Sequence, residues 1–443
     1  MIQLAVLLIG ARAFRQRLWV PALIGLVLIA FGFALVVDMG HAMIPIATRV
    51  FGLTFLLRGL AALIAGSARA TVFGTLVAIA KALVFVALGV LALWTPFGGE
   101  MILGWLLAAG LAVDGVSRLI TIWLVRFKGW AAAVASSVLE LVLAAVMAFE
   151  WPLPAHLNIP LCIGLLLVLS GIAMVRLSFV LRNEPEEMAL FALSMFGGRN
   201  WNENAPVLIG DDMPEDWEAG PMRVRIWTPV GSAKVAARRP VIDRYFGAMD
   251  VDGVFSAGHA ALELLPDLYI SHWPAQEIDQ ASGPLAQIFH AGAHNDMPGR
   301  FLPSYDEERT IWCDADRSVA FNRFNARRLR AYWAGYRQRT IYNLTDRNCS
   351  IAVAGALDSA LEGSLHTRIP WLRLVGLLLN PALWEAAYWR SRARHVCWTP
   401  GMVLDYAEAL QRLVEPGQAF WRIWINRLPG RSSTAETQGG PAQ

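Results

Sequence analysis

From residue 18 to about 181 the chain is almost free of charge outside short gaps, and from 183 onward it has the polarity of a globular domain. Six apolar stretches fill the first part, at 18–37, 44–65, 71–94, 101–124, 130–149 and 159–181. Each is long enough to cross ~30 Å of hydrocarbon as a helix, and the short gaps make them helical hairpins. In the second part, MRVRIW at 222–227 alternates and predicts a strand. GVFSAGHAALELL at 253–265 and DLYISHWP at 267–274 predict a hairpin turning at Leu265-Pro266-Asp267. FNRFNARRLRAYWAGYRQR at 321–339 reads as an amphipathic helix with a solvated arginine face. TPGMVLDYAEALQRLVE at 399–415 reads as a helix with Thr399 at its N-cap and Pro400 at N1. The pattern predicts an α-helical polytopic membrane domain followed by an α+β domain. The boundaries are 1–17 for a cytoplasmic lead-in, 18–182 for the membrane domain, 183–221 for a linker, 222–428 for the α+β domain and 429–443 for a disordered tail.

Charge orients the spans. Arg12, Arg15 and Arg17 follow the opening apolar run, the reverse of a signal peptide. These three, Arg69, Arg126, Lys128 and Arg182 fall in alternate gaps or flanks, and the other three gaps contain no Lys or Arg. The positive-inside rule then puts both termini in the cytoplasm. Within the spans, Lys81, Asp114 and Glu140 fall at mid-depth, and Arg58, Arg118 and Arg176 nearer the cytoplasmic ends. A charge in hydrocarbon needs a partner, so Lys81 is expected to pair with Asp114 or Glu140.

Small residues recur seven apart, as in Gly25/Gly32, Gly52/Gly59 and Gly164/Gly171. Seven residues make two turns, so each pair lies on one face, where helices can pack closely. The hairpins read as a threefold repeat of about 55 residues. Over about 15–183 this pattern resembles the HdeD family of bacterial inner-membrane proteins. That resemblance implies repeated hairpins, an inner-membrane location and a link to acid resistance.

The candidate chemistry centres on TDRNCSIAVAGALDSAL at 345–361. Asn348 is a good N-cap, and Cys349 then stands in the first turn of a helix, where the dipole favours a thiolate. His259 and His272 fall on the two hairpin strands, and a plausible register brings them side by side. Thiol hydrolysis needs a base and a group that orients the base. Cys349, His259 and His272 can fill the roles of nucleophile, base and orienting group; Ser271 or Glu263 could take the third.

GHAALEL, then YISHWP, then RNCS at a helix start resembles the circularly permuted papain-like superfamily, the NlpC-type group that includes lecithin retinol acyltransferase. The resemblance covers about 222–410. It implies His259 as base, His272 as orienting residue and Cys349 as nucleophile, acting through a thioacyl intermediate on an amide, peptide or acyl-ester bond.

The remaining features change little. HAGAHND at 290–296 spaces two histidines four apart, but Gly292 and Pro298-Gly299 favour a loop over a metal site. The stretch 300–321 reads as irregular, then a strand. IPWLRLVGLLLNPALWEAAYWRSRAR is broken at Asn380-Pro381, which argues against a seventh span; its tryptophans suit a segment lying on the membrane or a core helix pair. The four cysteines (Cys162, Cys313, Cys349, Cys397) give neither a disulfide framework nor zinc spacing. A net charge of +3 singles out no partner. The expected partners are the lipid bilayer and an unknown peptide, lipidated or acyl substrate; no nucleic acid, metal or cofactor is expected. The competing reading is a non-enzymatic membrane stress protein whose soluble domain binds a partner.

Overall fold

The computed structural model describes residues 1–10, 19–37, 99–125, 130–151, 155–183, 220–229, 255–276, 291–395 and 397–415, with isolated positions between them. The chain divides into two compact units. One comprises Met1–Ala13, Glu186–Ser282 and Ala293–Gln443; the other comprises Phe14–Pro185 and Gly283–Gly292.

The first unit opens with helix α1 (Ile2–Ile9). The second contains four long helices: α2 (Trp19–Val37), α3 (Gly99–Val125), α4 (Trp130–Phe149) and α5 (Ala155–Asn183). Among the described residues, α2 is the helix long and apolar enough to cross a membrane. The stretches expected to span at 44–65 and 71–94 lie outside the described residues save for isolated positions.

Glycines set the packing of α2 on α5. A Cβ on Gly25 would come within 2.6 Å of the Gly171 carbonyl oxygen, and one on Gly171 within 2.5 Å of the Gly25 oxygen. Gly32 and Gly164 face each other in the same reciprocal way. Two helix backbones therefore meet along a seven-residue spacing that no larger side chain would allow. Elsewhere in this unit Arg118 bridges Asp114 at 2.7 Å and Glu140 at 3.0 Å, joining α3 to α4. Both carboxylates expected to receive Lys81 thus have an arginine partner, and Lys81 itself lies outside the described residues.

The first unit is α+β. Its strands are β1 (Met222–Trp227), β2 (Ala248–Met249), β3 (Phe255–Ser256), β4 (His259–Leu264), β5 (Leu268–Ile270), β6 (His272–Pro274), β7 (Met297–Phe301), β8 (Arg317–Phe321) and β9 (Ile341–Tyr342). They form small sheets in the orders β5-β4-β1-β8, β2-β3 and β6-β7-β9. The helices are α6 (Tyr305–Ile311), α7 (Ala326–Tyr336), α8 (Cys349–Leu361), α9 (Pro370–Leu378), α10 (Pro381–His395) and α11 (Pro400–Val414).

The expected hairpin turns at Leu265-Pro266-Asp267, and β4 pairs with β5 through Leu262 opposite Ile270. Ser271 then ends that sheet, and His272 begins β6 in another, where it pairs with Phe301 of β7. His259 instead lies opposite Trp227 of β1, so the expected side-by-side histidines do not occur.

Helix α8 runs through the centre with nearly every residue buried. Gly355 admits Tyr332 of α7, whose hydroxyl would lie 2.4 Å from any Cβ there. Helix α7 is not simply a solvated arginine face: Arg328 is buried and bonds Glu362 at 2.6 Å. Residues 1–10 are also more than a lead-in. Leu4–Ile9 are all buried, and α1 is fixed by Gly363 N–H to the Leu7 carbonyl (3.0 Å) and Leu365 N–H to the Leu8 carbonyl (2.8 Å).

Candidate active site

The turn before Cys349 is built to end in a helix. Asn343 Oδ1 accepts the N–H groups of Thr345 and Asp346, each at 3.1 Å. The Arg347 guanidinium donates to the carbonyls of Tyr336 (2.5 Å) and Arg339 (2.7 Å) and stacks on the Tyr336 ring. Asn348 Oδ1 accepts from Ile351 N–H at 2.8 Å, the expected N-cap. Its Nδ2 donates to the carbonyls of Leu344 (2.7 Å) and Trp398 (3.1 Å). Both ends of the amide are thus occupied, and Cys349 is held as the first residue of α8.

His259 is positioned from the other side by Gly258. At φ +72° this glycine adopts a left-handed turn that separates β3 from β4, and a Cβ would lie 2.4 Å from the Trp227 carbonyl oxygen. His259 Nε2 lies 3.0 Å from Glu308 Oε1 and 3.0 Å from Ser271 Oγ. Nε2 being held there, Nδ1 is the nitrogen left for the Cys349 thiol, which stands near His259 and the Ala260 N–H, with Ser350 Oγ 3.8 Å from its sulfur. The rings of Trp227 and Trp273 close around the imidazole, with centroids at 5.5 and 4.4 Å.

Glu308 is buried and accepts several hydrogen bonds: Trp273 Nε1 at 2.6 Å and Ser271 Oγ at 3.2 Å on Oε1, and the Tyr269 hydroxyl on Oε2. Burial alone would raise its pKa. The His259 charge and the donated hydrogen bonds outweigh burial and hold the carboxyl below its ordinary range. Burial would also depress His259, but the negative charges of Cys349 and Glu308 beside it push it up to about 10. For Cys349 burial acts upward; the nearby His259 charge above all, with the Ala260 N–H and Ser350 beside the sulfur, reverses this, so the thiol is more acidic than a free cysteine. The three shifts share one cause: a thiolate, an imidazolium and a carboxylate in sequence, out of water.

The expected residues divide. The structure brings Cys349 and His259 together. His272 does not meet His259; its Nδ1 is 3.0 Å from the Tyr336 hydroxyl, and its ring packs on Phe301, Tyr336 and Tyr342. Burial and the nearby Arg347 charge press it down to about 3, so it is neutral. Neighbouring residues of an extended chain point opposite ways. Ser271 and Trp273 therefore face Glu308, and His272 faces the aromatic cluster. Glu263, the other alternative, pairs with Arg225 at 2.7 Å.

The pattern of 300–321, irregular and then a strand, does not point to Glu308. A signal was present. Tyr305, Glu308 and Trp312 recur three and four apart, which puts the acid on the aromatic face of a helix, unlike its neighbours Asp306 and Glu307. Ser304 caps that helix by accepting Glu307 N–H at 3.2 Å.

All four cysteines are free thiols. Cys397 Sγ lies 3.3 Å from Asn348 Nδ2. Among the described residues no group of His, Cys, Asp and Glu side chains is arranged to hold a metal ion, and the HAGAHND segment forms a single 3-10 turn at Ala293–Asn295. No family model matches the chain, and no match was found among curated proteins or solved structures.

Proposed function

We propose that the protein is a membrane-anchored cysteine hydrolase with Cys349 as nucleophile, His259 as acid and base, and Glu308 as the group that orients and charges His259. One observation carries the reading. A buried thiol at a capped helix N-terminus lies close enough to an imidazole for each to shift the other's charge, and that imidazole has a buried carboxylate oxygen 3.0 Å from its Nε2. A structural cysteine requires none of these three, and together they generate a nucleophile at neutral pH.

In this mechanism the Cys349 thiolate attacks the carbonyl carbon of an amide, peptide or ester. The N–H groups of Cys349 and Ser350, ahead of the Ile351 N–H that Asn348 occupies, are the donors the first turn offers to the oxyanion. The His259 imidazolium gives its proton to the leaving amine or alkoxide, and a thioester forms on Sγ. Neutral His259 then takes a proton from water as it attacks. The acid leaves and the thiolate–imidazolium pair is restored. Glu308 remains ionised throughout.

The same reading takes the second unit as a six-span inner-membrane domain with both termini cytoplasmic, like the HdeD family, and the first as permuted papain-like. Supporting it are α2 and the apolar side chains that α3–α5 turn outward, such as Val113, Trp123, Leu139 and Leu169. A membrane anchor makes an acylated or lipidated substrate the natural class, possession of the thiol-acyl chemistry being common to hydrolase and acyltransferase. The test is a fluorescent acyl electrophile applied to membranes carrying the protein. The wild-type chain should be labelled and Cys349→Ala should not. Equal labelling of the two would remove the enzyme reading and leave the partner-binding one.

A further inference from the structure

Helix α9 is apolar on both sides. Pro370, Leu374 and Leu377 are buried against the first unit. On its opposite face Leu372 and Val375, continued by Leu379, recur three and four apart and are 68%, 54% and 65% exposed. Ile369 just before the helix and Trp384 and Tyr388 on α10 add to the same exposed apolar set. Together they present on the order of 500 Å² of apolar surface, the size at which a patch marks an interaction site. Water alone gives no reason for such a face. A helix apolar all round is normally buried in protein or in lipid.

We propose that the exposed face of α9 and the adjoining part of α10 lie in the headgroup boundary of the bilayer that α2 enters. Three observations choose lipid over another protein. First, α9 packs against α1, and only residues 10–18 separate α1 from α2. Nine residues reach at most about 30 Å when fully extended, so the patch belongs to an element tethered close to the membrane by the chain itself. Second, the unpaired flanking charge among the described residues is basic. Arg368 and Arg373 border the patch, the acidic neighbour Glu385 is paired with Arg412 at 2.8 Å, and the tether carries Arg12, Arg15 and Arg17, as an anionic leaflet would favour. Third, Trp384 and Tyr388 combine an apolar ring with a polar atom, the composition of membrane-interface positions, and Trp384 Nε1 is satisfied internally by the Leu378 carbonyl at 2.8 Å. The surface would seat the hydrolase unit on the leaflet, so that a lipid-borne acyl substrate is presented from the membrane. The inference rests on the membrane reading of α2 and does not depend on the thiol chemistry.

The test is spin-label accessibility in the full-length protein, reconstituted into phosphatidylcholine/phosphatidylglycerol vesicles after replacement of the four native cysteines. A nitroxide is placed at Leu372→Cys and at Leu379→Cys. Val27→Cys on α2 serves as the lipid reference, and Asp306→Cys, which is 86% exposed, as the aqueous one. Labels at 372 and 379 should collide with oxygen in preference to a water-soluble nickel complex, matching Val27 and differing several-fold from Asp306. Two results would overturn the proposal: nickel accessibility equal to that of Asp306, or immobile labels screened from both reagents, which would indicate a protein partner or a second copy. An aqueous Val27 label would overturn the membrane reading as well. A lipid-like Val27 with aqueous 372 and 379 would overturn this inference alone.

Discussion

Replacing Glu308 by Gln removes one charge and almost no volume. Its Oε1 lies 3.0 Å from His259 Nε2 in a site closed by Trp227 and Trp273. At that separation and an effective dielectric of about 20, the Coulomb energy is about 5 kcal/mol. An amide oxygen keeps part of the hydrogen bond, and charged neighbours at such distances move a pKa by about 1–3 units. His259, held at about 10 in the wild type, should therefore fall by about 2 units. Because the imidazolium in turn lowers Cys349, the thiol should rise. The sign is fixed by the pair. In the wild type, alkylation of Cys349 should rise as pH passes its depressed pKa, below that of a free thiol, and hold level until His259 deprotonates near 10. In Glu308→Gln the acid limb should move to higher pH, and turnover should fall on the order of 10²-fold. The assay is the second-order rate of chloroacetamide alkylation from pH 5 to 10, with the modified residue mapped by mass spectrometry and circular dichroism as the folding control. A folded Glu308→Gln protein with an unchanged profile would refute the role given to Glu308.

Three further outcomes follow from the packing and topology. Asn348→Ala removes the cap of α8 and the bonds to Leu344 and Trp398; it should cost about 1–2 kcal/mol in chemical denaturation of the first unit. Gly164→Ala would bring a Cβ within 2.6 Å of both the Gly32 oxygen and Val36 Cγ2, whereas a Cβ on Gly110 would meet nothing within 4 Å among the described residues; the first change should destabilise the detergent-solubilised protein by about 1–3 kcal/mol and Gly110→Ala should do so by less, as read by thermal unfolding. Reporter fusions after residues 40 and 185 should be active on opposite sides of the membrane, the second in the cytoplasm; periplasmic activity at 185 would reverse the topology.

Local chemistry was legible in the sequence, and long-range pairing was not. The caps at Asn348 and Thr399, the strand at 222–227 and the turn at 265–267 depend on neighbouring residues, and the structure has each where the pattern put it. The facing of Gly25/Gly32 and Gly164/Gly171 was implied by their spacing, though not which helices would meet. Strand alternation and the papain-like resemblance put His272 beside His259. The actual direction of His272 follows from the chain passing from one sheet to another at Ser271, a change that alternation along a single strand cannot reveal. The burial of α1 depends on partners at Gly363 and Leu365, more than 350 positions along the chain, so a short apolar run at residue 2 gave no clue to it. Glu308 lay between these cases: its helical face was readable, but its contact with His259 is tertiary.

In the proposed reaction an acyl group passes through Cys349 under the control of His259. The direct measurement is to incubate the purified full-length protein at pH 6 with an activated acyl ester, quench in acid, and locate the acyl group by peptide mass spectrometry. Cys349 should be acylated in the wild type, with none on Cys162, Cys313 or Cys397, and none on Cys349 in His259→Ala. Acylation of Cys349 that is equally fast without His259, or that falls on another cysteine, would contradict it.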